Sequence, residues 1–358
     1  MHNKYFEIGA ERLILTALYI LPRPRARIDL TCLQRHLETN VRYLSKLATG
    51  IAATLLCLTA HAQTLVVGDQ SYNAQAVMEA AGVLDDLPYK LEWKQFTAGS
   101  PVAEALNANS LDIGLLGDAP VLFLGALGAP IKVIAVTRQN LEGVAILVKK
   151  DSQIHSLADL AGKRAAVWKG SWSQQLLLTA LDKAGVPRDS LQLRYLSALD
   201  ASHALEGGSV DVIATWEPYV TQQERQGARV LATAEGLIPA QSYIAANAKA
   251  VDAKRAQISD FLQRLKKARD WTRQSPANTD AYADAWAKRT RADADIARTW
   301  FARAATTVEP VTAESPVEAQ KTVDFFAGEG LVKAYPAASL FDASFATSLQ
   351  PLGNANHE

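Results

Sequence analysis

The sequence predicts an α/β protein with two lobes, because short apolar strand patterns alternate with helical patterns and this alternation restarts in mid-chain. The first series opens at Thr64–Gly68 and the second at Ser156–Gly162. The 358 residues are 49% hydrophobic and 21% charged, an ordinary globular balance. At roughly 150 residues per domain, this length suffices for two domains after a targeting segment. Such proteins bind ligands beyond the carboxyl ends of their largely parallel strands.

Residues 1–62 end in the pattern of a secretory signal peptide. Lys46 precedes an apolar run, Leu47–Thr59, which is followed by the small-x-small cleavage site Ala60-His61-Ala62. The run is shorter than the roughly 20 residues that a bilayer span needs. We therefore expect an N-terminal extension and signal peptide cleaved after Ala62, and a secreted mature protein. Residues 1–40 have no predicted structural role, and one hypothesis is that translation starts near Val41.

Cleavage after Ala62 changes both the charge and the chemistry of the chain. It removes Cys32 and Cys57, together with 8 of the 37 basic and 4 of the 37 acidic residues, which leaves 29 against 33. The mature chain therefore has no disulfide, cysteine nucleophile or cysteine metal ligand. It also has no basic field for nucleic acid. No His, Asp and Glu cluster has ligand spacing, so we predict neither a metal nor a cofactor.

The mature chain opens with strand–loop–helix units. The predicted strands of this part are Thr64–Gly68, Tyr89–Phe96, Leu111–Leu116, Ile131–Val136 and Val144–Val148. Ser100 followed by Pro101 predicts a helix start with Ser100 as N-cap, and Asp118 is a second candidate N-cap.

The middle of the chain repeats the alternation and predicts the second lobe. Its predicted elements are strand Arg164–Val167, helix Ser173–Lys183, strand Leu191–Tyr195, helix Ser202–Glu206, strand Val210–Thr215 and strand Ser242–Ala246. From about Asp252 onward the chain is mostly helical, with apolar residues at helical spacing in Gln257–Trp271 and Asp293–Phe301.

Five stretches together resemble one known family. They are Thr97-Ala98-Gly99-Ser100 with Glu104-Ala105-Leu106-Asn107; Leu111-Asp112-Ile113-Gly114 with Gly117-Asp118-Ala119-Pro120; Lys169-Gly170-Ser171 with Leu176-Leu177-Leu178; Trp216-Glu217-Pro218-Tyr219; and Thr306-Thr307-Val308-Glu309-Pro310-Val311 with Asp324-Phe325-Phe326. In this order and spacing they resemble the aliphatic sulfonate, nitrate and taurine family of periplasmic binding proteins, and most closely its aliphatic sulfonate branch.

The resemblance implies a type II periplasmic binding protein, with two α/β lobes joined by a two-strand hinge and the ligand between them. It implies that residues 63–147 and 247–358 form lobe 1 and residues 148–246 form lobe 2, with crossings near Ala145–Lys149 and Ser242–Asn247. The implied function is the substrate-binding component of an ABC importer. Such a protein captures an organic sulfonate and, as a monomer, delivers it to an inner-membrane permease.

A sulfonate is a permanent anion, so its site needs hydrogen-bond donors rather than a general base. The N–H groups in the first turn of a helix are such donors. Three loops that precede helices are therefore candidate binding segments, and their residues are Gln70, Ser71, Gly117, Asp118, Gly170, Ser171, Trp172 and Ser173. Gly170 would allow the backbone to approach the anion closely. Each loop is also compatible with an ordinary capped helix.

Aromatic residues near these loops suggest the nature of the ligand's tail. Trp216 and Glu217 are expected at the cleft, where Trp216 covers the tail and Glu217 orients donors or accepts from an amine. Trp168 and Trp172 stand where the sulfonate branch tends to have polar or small residues. Aromatic faces favour flat apolar ligands, so the hypothesis is an aryl sulfonate or a sulfate ester. The alternatives are that Trp216 packs under a loop and that Trp172 turns outward.

Other proteins of the same fold need functional residues that this chain lacks. Porphobilinogen deaminase needs a cysteine for its cofactor, and a pyrimidine-precursor synthase needs a reactive histidine. The mature chain has no cysteine, and His155, His203 and His357 are not placed for catalysis, so no catalytic residue is predicted. A transcriptional regulator would carry DNA-binding helices in place of the signal peptide. Binding of nitrate, taurine or a thiamine precursor remains an alternative.

Overall fold

The computed structural model describes residues 63–350. The predicted signal peptide, both cysteines and His357 lie outside these residues. In chain order the strands are β1 (Thr64–Gln70), β2 (Lys90–Phe96), β3 (Ile113–Gly117), β4 (Ile131–Arg138), β5 (Val144–Val148), β6 (Arg164–Val167), β7 (Gln192–Tyr195), β8 (Val212–Trp216), β9 (Arg229–Thr233), β10 (Gln241–Asn247) and β11 (Thr307–Glu309).

The strands are connected mainly by helices. In chain order these are α1 (Asn73–Ala80), α2 (Gly99–Asn107), α3 (Asp118–Ala126), α4 (Trp172–Lys183), α5 (Ala198–Glu206), α6 (Tyr219–Arg225), α7 (Ala248–Ala253), α8 (Arg255–Thr272), α9 (Pro276–Thr290), α10 (Ala294–Ala304) and α11 (Glu314–Gly328). None of the helices within residues 63–350 has the length and apolarity needed to cross a membrane.

Lobe 1 is built on a six-stranded sheet in the order β11-β4-β10-β3-β1-β2. β1 is parallel to β2 and β3, whereas β10 is antiparallel to β3 and β4, and β11 is antiparallel to β4. The sheet is therefore mixed rather than largely parallel as predicted. The reason is that β10 returns from the other lobe and enters the middle of the sheet in the opposite direction.

Both faces of this sheet are covered, because successive side chains of its strands point to opposite faces. Leu65 and Val67 pack on one face with α1 and α8, while Tyr243 packs on the other with α2, α3 and α11. Gly114 allows α2 to approach β3, since a Cβ at this position would lie 2.7 Å from side-chain atoms of Leu106. This close packing sets α2 directly behind the strands that lead to the site.

Lobe 2 is built on a five-stranded sheet in the order β7-β6-β8-β5-β9. β6 is parallel to β7 and β8, and β5 is antiparallel to β8 and β9. All of β5 is buried: Ile146 packs in the cluster that includes α4, and Leu147 packs in the cluster that includes α5 and α6. A continuous apolar strand therefore lies between two helical layers.

The strand pairing shifts both lobe boundaries from the predicted positions. Boundaries at 147/148 and 246/247 would place most of β5 in lobe 1 and most of β10 in lobe 2. Instead, β5 pairs only with lobe 2 strands and β10 only with lobe 1 strands. The chain therefore crosses ahead of each strand, at residues 139–143 and 234–240. An apolar run predicts a strand, but its hydrogen-bonding partners decide the lobe to which it belongs.

Candidate ligand-binding site

A cavity lies between the two lobes, where the carboxyl ends of β1, β2 and β3 meet those of β6 and β8. Its volume, counted as the space that the centre of a water molecule can occupy, is about 190 Å³. Seven predicted site residues line it, namely Gln70, Ser71, Gly117, Ser171, Trp172, Trp216 and Glu217. The other three, Asp118, Gly170 and Ser173, are buried behind its wall. The predicted loops are thus brought together, but with different roles.

The start of α1 is filled by a carboxylate of the chain itself. Asp69 is 1% exposed and accepts the backbone N–H groups of Gln70 at 2.8 Å, Ala74 at 3.0 Å and Gln75 at 3.0 Å. Burial raises the pKa of Asp69, while the N–H groups of Gln75 and Ala74, the side chain of Gln95 and the positive charge of Arg269 lower it. The donors at this helix start are therefore already used inside the protein.

Gln70 and Ser71 line the cavity beside this filled helix start. The Gln70 side-chain Nε2 donates to the carbonyl oxygen of Leu115 at 2.9 Å, which fixes the amide against β3. The Ser71 N–H donates to the carbonyl of Phe96 at 3.0 Å, and Ser71 has a positive φ of 52°. Gln70 keeps its second amide hydrogen for a ligand, whereas the Ser71 N–H is committed to the protein.

The start of α2 has no cap from the chain. Its N-cap residue is Ala98, so no side chain caps it, and the N–H groups of Gly99 and Ser100 have no partner within residues 63–350. Both residues line the cavity. The helix begins earlier than predicted, which places Ser100 in the first turn rather than at the N-cap. This open helix start was not among the predicted site residues, although its sequence belongs to the family-like stretches.

The start of α3 is partly filled. Gly117 is the N-cap, and Asp118 is the first helical residue and fully buried. Its Oδ1 accepts from the Ala119 N–H at 2.7 Å and from the indole Nε1–H of Trp172 at 2.6 Å, and its Oδ2 accepts from the Thr322 hydroxyl at 2.8 Å. Burial raises the pKa of Asp118 to about 6 despite these donors. Because Trp172 belongs to lobe 2, its bond to Asp118 joins the lobes.

The start of α4 offers donors from lobe 2. Ser171 is the N-cap, and its Oγ accepts from the Ser173 N–H at 3.2 Å and donates to the Trp168 carbonyl at 2.7 Å. The buried Ser173 hydroxyl accepts from the Trp168 N–H at 3.0 Å. Both serine side chains therefore hold the loop together. The N–H groups of Ser171 and Trp172 have no partner within residues 63–350, and both residues line the cavity.

Gly170 lies next to lobe 1 rather than to the cavity. Its φ is 67°, a conformation that favours glycine, and a Cβ there would lie 2.7 Å from the ring of Phe123 on α3. The predicted close approach of the Gly170 backbone is therefore to Phe123 of the opposite lobe.

Glu217 also connects the lobes. It is 6% exposed, and its carboxylate accepts from the Thr221 N–H at 3.0 Å and from Nη1 of Arg303 on α10 at 3.0 Å. Arg303 also bonds Glu224 at 2.8 Å. Burial raises the pKa of Glu217, while the bonds from Thr221 and the charge of Arg303 lower it. This carboxylate is already paired with a cation of lobe 1.

Aromatic side chains form much of the remaining wall. They are Trp168, Trp172, Trp216, Tyr219, Tyr243 and Trp300. The rings of Trp168 and Trp216 pack with their centroids 6.4 Å apart at an angle of 60°. Trp168 and Trp172 both line the cavity. The hypothesis of an aromatic ligand depends on this position.

Two further residues of the wall were missed from the sequence. Arg269 and Tyr243 are 5% and 1% exposed, and the Arg269 Nε and the Tyr243 hydroxyl have no partner within residues 63–350. Tyr243 lies in a strand pattern with no sign of its role. Arg269 did carry a signal, since it follows Leu262 and Leu265 at the spacing of the buried face of α8, where a charged residue is unusual. Within residues 63–350, no group of three or more His, Cys, Asp and Glu residues could hold a metal ion.

Comparisons with known proteins identify the family. A family model described as NMT1/THI5 like matches residues 90–279. An aliphatic sulfonates-binding protein of Escherichia coli (strain K12) is 35% identical over 275 residues, which cover 75% of this chain and 85% of that protein. The chain belongs to the NMT1/THI5-like family. The predicted resemblance to aliphatic sulfonate-binding proteins is thereby confirmed.

Further relatives and solved structures are similar to this chain. The alkanesulfonate-binding protein SsuA from Xanthomonas axonopodis pv. citri, solved bound to MOPS, is 28% identical with a TM-score of 0.73 and covers 79% of this chain and 99% of its own. An ABC transporter periplasmic binding protein of Brachyspira hyodysenteriae is 25% identical over 203 residues, which cover 52% of this chain and 58% of that protein. The desulfurization enzyme DSZB shares only the fold, at 17% identity and a TM-score of 0.64. The predicted type II fold is confirmed.

Proposed function

We propose that this chain is the periplasmic substrate-binding component of an ABC importer and that it captures an organic sulfonate between its lobes. The observation that carries the proposal is a pair of open helix starts, one from each lobe, that line one cavity. Gly99 and Ser100 contribute the N–H groups of α2, and Ser171 and Trp172 contribute those of α4. An oxyanion held by both would stabilise the two lobes in contact.

The chemistry of these donors suits a permanent anion. Helix N-termini carry a partial positive charge and bind oxyanions without a full cation. The Tyr243 hydroxyl has no partner within residues 63–350 and is a further candidate donor. Burial raises its pKa, so it stays protonated. No general base is needed, in keeping with a protein that binds its ligand unchanged. The relatives of 25% identity or more that are described above are binding proteins rather than enzymes.

The aromatic wall favours a sulfonate or sulfate ester with a ring in its tail. Trp168, Trp216 and Trp300 line the cavity and provide apolar faces for stacking. The Xanthomonas relative is bound to MOPS, which is a sulfonate that carries a morpholine ring. Delivery to an inner-membrane permease and action as a monomer complete the proposal.

Thermal unfolding of the purified protein with a panel of anions tests this function. Any ligand that binds only the folded state raises the melting temperature by an amount set by its concentration relative to its Kd. We expect shifts from sulfonates and sulfate esters, with aryl members above alkyl members of equal charge. A shift from nitrate or a thiamine precursor alone would overturn the ligand class. A shift from taurine alone, or equal shifts from aryl and alkyl members, would overturn the aromatic preference.

A further inference from the structure

The cavity wall contains one buried guanidinium, that of Arg269. Of the residues that line the cavity within 63–350, Arg269 is the single Lys or Arg. Its Nη1 donates to the Tyr282 hydroxyl at 3.1 Å and its Nη2 to Oδ1 of Asn73, both neutral groups. Its Nε–H has no partner in the described part of the chain. Buried arginines normally satisfy their donors and pair with an anion, so this side chain is incompletely compensated.

The carboxylates that line the cavity do not pair with the guanidinium of Arg269. The charge of Arg269 lowers the pKa of Asp69, but the oxygens of Asp69 already accept several N–H groups at the start of α1 and form no bond with Arg269. Glu217 is paired with Arg303. No carboxylate within residues 63–350 lies within salt-bridge distance of Arg269. An anionic group of a ligand in the cavity would balance this charge.

Arg269 belongs to a different part of the wall from the lobe 2 donors. It projects from α8 beside Asn73 of α1, and Tyr282 of α9 supports it. Ser171 and Trp172 begin α4, and Trp172 is bonded to α3 through Asp118. One ligand that reaches both parts needs polar groups at two positions.

We propose that Arg269 binds a second acidic group of the ligand, so that the substrate class is sulfonates that also carry a carboxylate or another sulfonate. This inference rests on the proposed function. The sulfonate occupies the open helix starts, the aromatic wall covers the body of the ligand, and the second acid pairs with Arg269. A guanidinium binds such a group through charge-assisted hydrogen bonds, which are stronger than neutral ones.

Two ligands of nearly equal shape test the inference. Para-sulfobenzoate and para-toluenesulfonate differ in a carboxylate against a methyl group. By isothermal titration calorimetry at constant salt, we expect the wild-type protein to bind para-sulfobenzoate about 10- to 100-fold more tightly. In Arg269→Met this difference should shrink to about threefold or less. Arg264→Met is the matched control, because Arg264 lies on the same helix but bonds Asp260 and is not among the residues of the cavity wall.

The outcomes separate the inference from the function on which it rests. Equal affinity of the wild type for both ligands would overturn the role of Arg269, and this result does not depend on the folding of any variant. A difference that persists in Arg269→Met would overturn it as well. Binding of para-toluenesulfonate alone would refute the inference and leave the sulfonate function standing. Binding of neither ligand, with alkanesulfonates bound, would overturn the aryl class and this inference together.

Discussion

Two neighbouring helices of lobe 1, α1 and α2, begin at adjacent strands of one sheet and differ in what fills their N-termini. At α1 the buried carboxylate of Asp69 accepts the free N–H groups, whereas at α2 the N–H groups of Gly99 and Ser100 have no partner in the described residues. Every helix start carries a similar partial charge, so the charge alone does not mark a binding site. The absence of an internal anion is what makes the α2 start available to a ligand.

Removal of the internal anion should give the largest effect on stability. Asp69→Ala leaves the N–H groups of Gln70, Ala74 and Gln75 buried without an acceptor, and we expect a loss of about 4 kcal/mol in the free energy of unfolding. Urea unfolding monitored by circular dichroism measures it. Asp252→Ala, on the exposed side of α7, is the control. A loss below about 1 kcal/mol would mean that water replaces the carboxylate and that the two helix starts are alike.

The partly filled start of α3 makes the comparison dependent on pH. The pKa of Asp118 is raised to about 6, so between about pH 4 and pH 6 the folded state holds a proton that the unfolded state has lost. The wild type should therefore lose about 3 kcal/mol relative to Asp118→Asn as the pH rises from 4 to 7. Unfolding free energies of both proteins across this range provide the measurement. Parallel curves would contradict a raised pKa.

Removal of one donor from the open helix start should weaken binding without unfolding the protein. Ser100→Pro deletes the N–H group, and proline is tolerated in the first turn of a helix. We expect the sulfonate Kd to rise by about 10- to 100-fold. Ser100→Ala keeps the N–H group and removes only the hydroxyl, so its loss should be clearly smaller. Equal losses in the two variants would assign the effect to the side chain instead of the helix start.

The bond between the lobes should have the smallest effect. Trp172→Phe keeps an aromatic ring in the wall but loses the Nε1–H bond to Asp118, so lobe contact becomes less favourable. The Kd should rise by about 3- to 10-fold, as expected for one hydrogen bond. Trp168→Phe is the matched control, because Trp168 also lines the cavity and no indole hydrogen bond of its own is seen within residues 63–350. A larger rise in Trp168→Phe would show that ring area matters more than the bond.

Strands with a continuous apolar run were predictable from the sequence. β5 and β6 have their predicted bounds, because Val144–Val148 and Arg164–Val167 are almost wholly buried. β9 and β11 were not predicted; both are mostly half-exposed, and β11 has three residues. The crossings were displaced because the same apolar residues fit either sheet, and the choice depends on pairing between residues far apart in sequence.

The site was predictable to the level of its loops but not of individual donors. The motifs located the helix starts, because the preference for Gly and Ser at helix ends arises from local backbone conformation and capping. Whether a start is open depends on distant groups, as at Asp118, which bonds Trp172 and Thr322. Arg269 illustrates the same limit, because its role depends on a cavity formed by segments from both ends of the described chain.

The position of β10 has a consequence for the order of folding. All strands of lobe 2 lie within residues 144–233, so its sheet can be complete once that segment has emerged. In lobe 1, β3 and β4 are separated by β10, and both keep unpaired edges until residues 241–247 arrive. Unpaired edges invite association with other chains, and the interval in which they are exposed is the vulnerable stage of synthesis. Lobe 1, whose first strands are synthesised before those of lobe 2, is thus the last to complete its sheet.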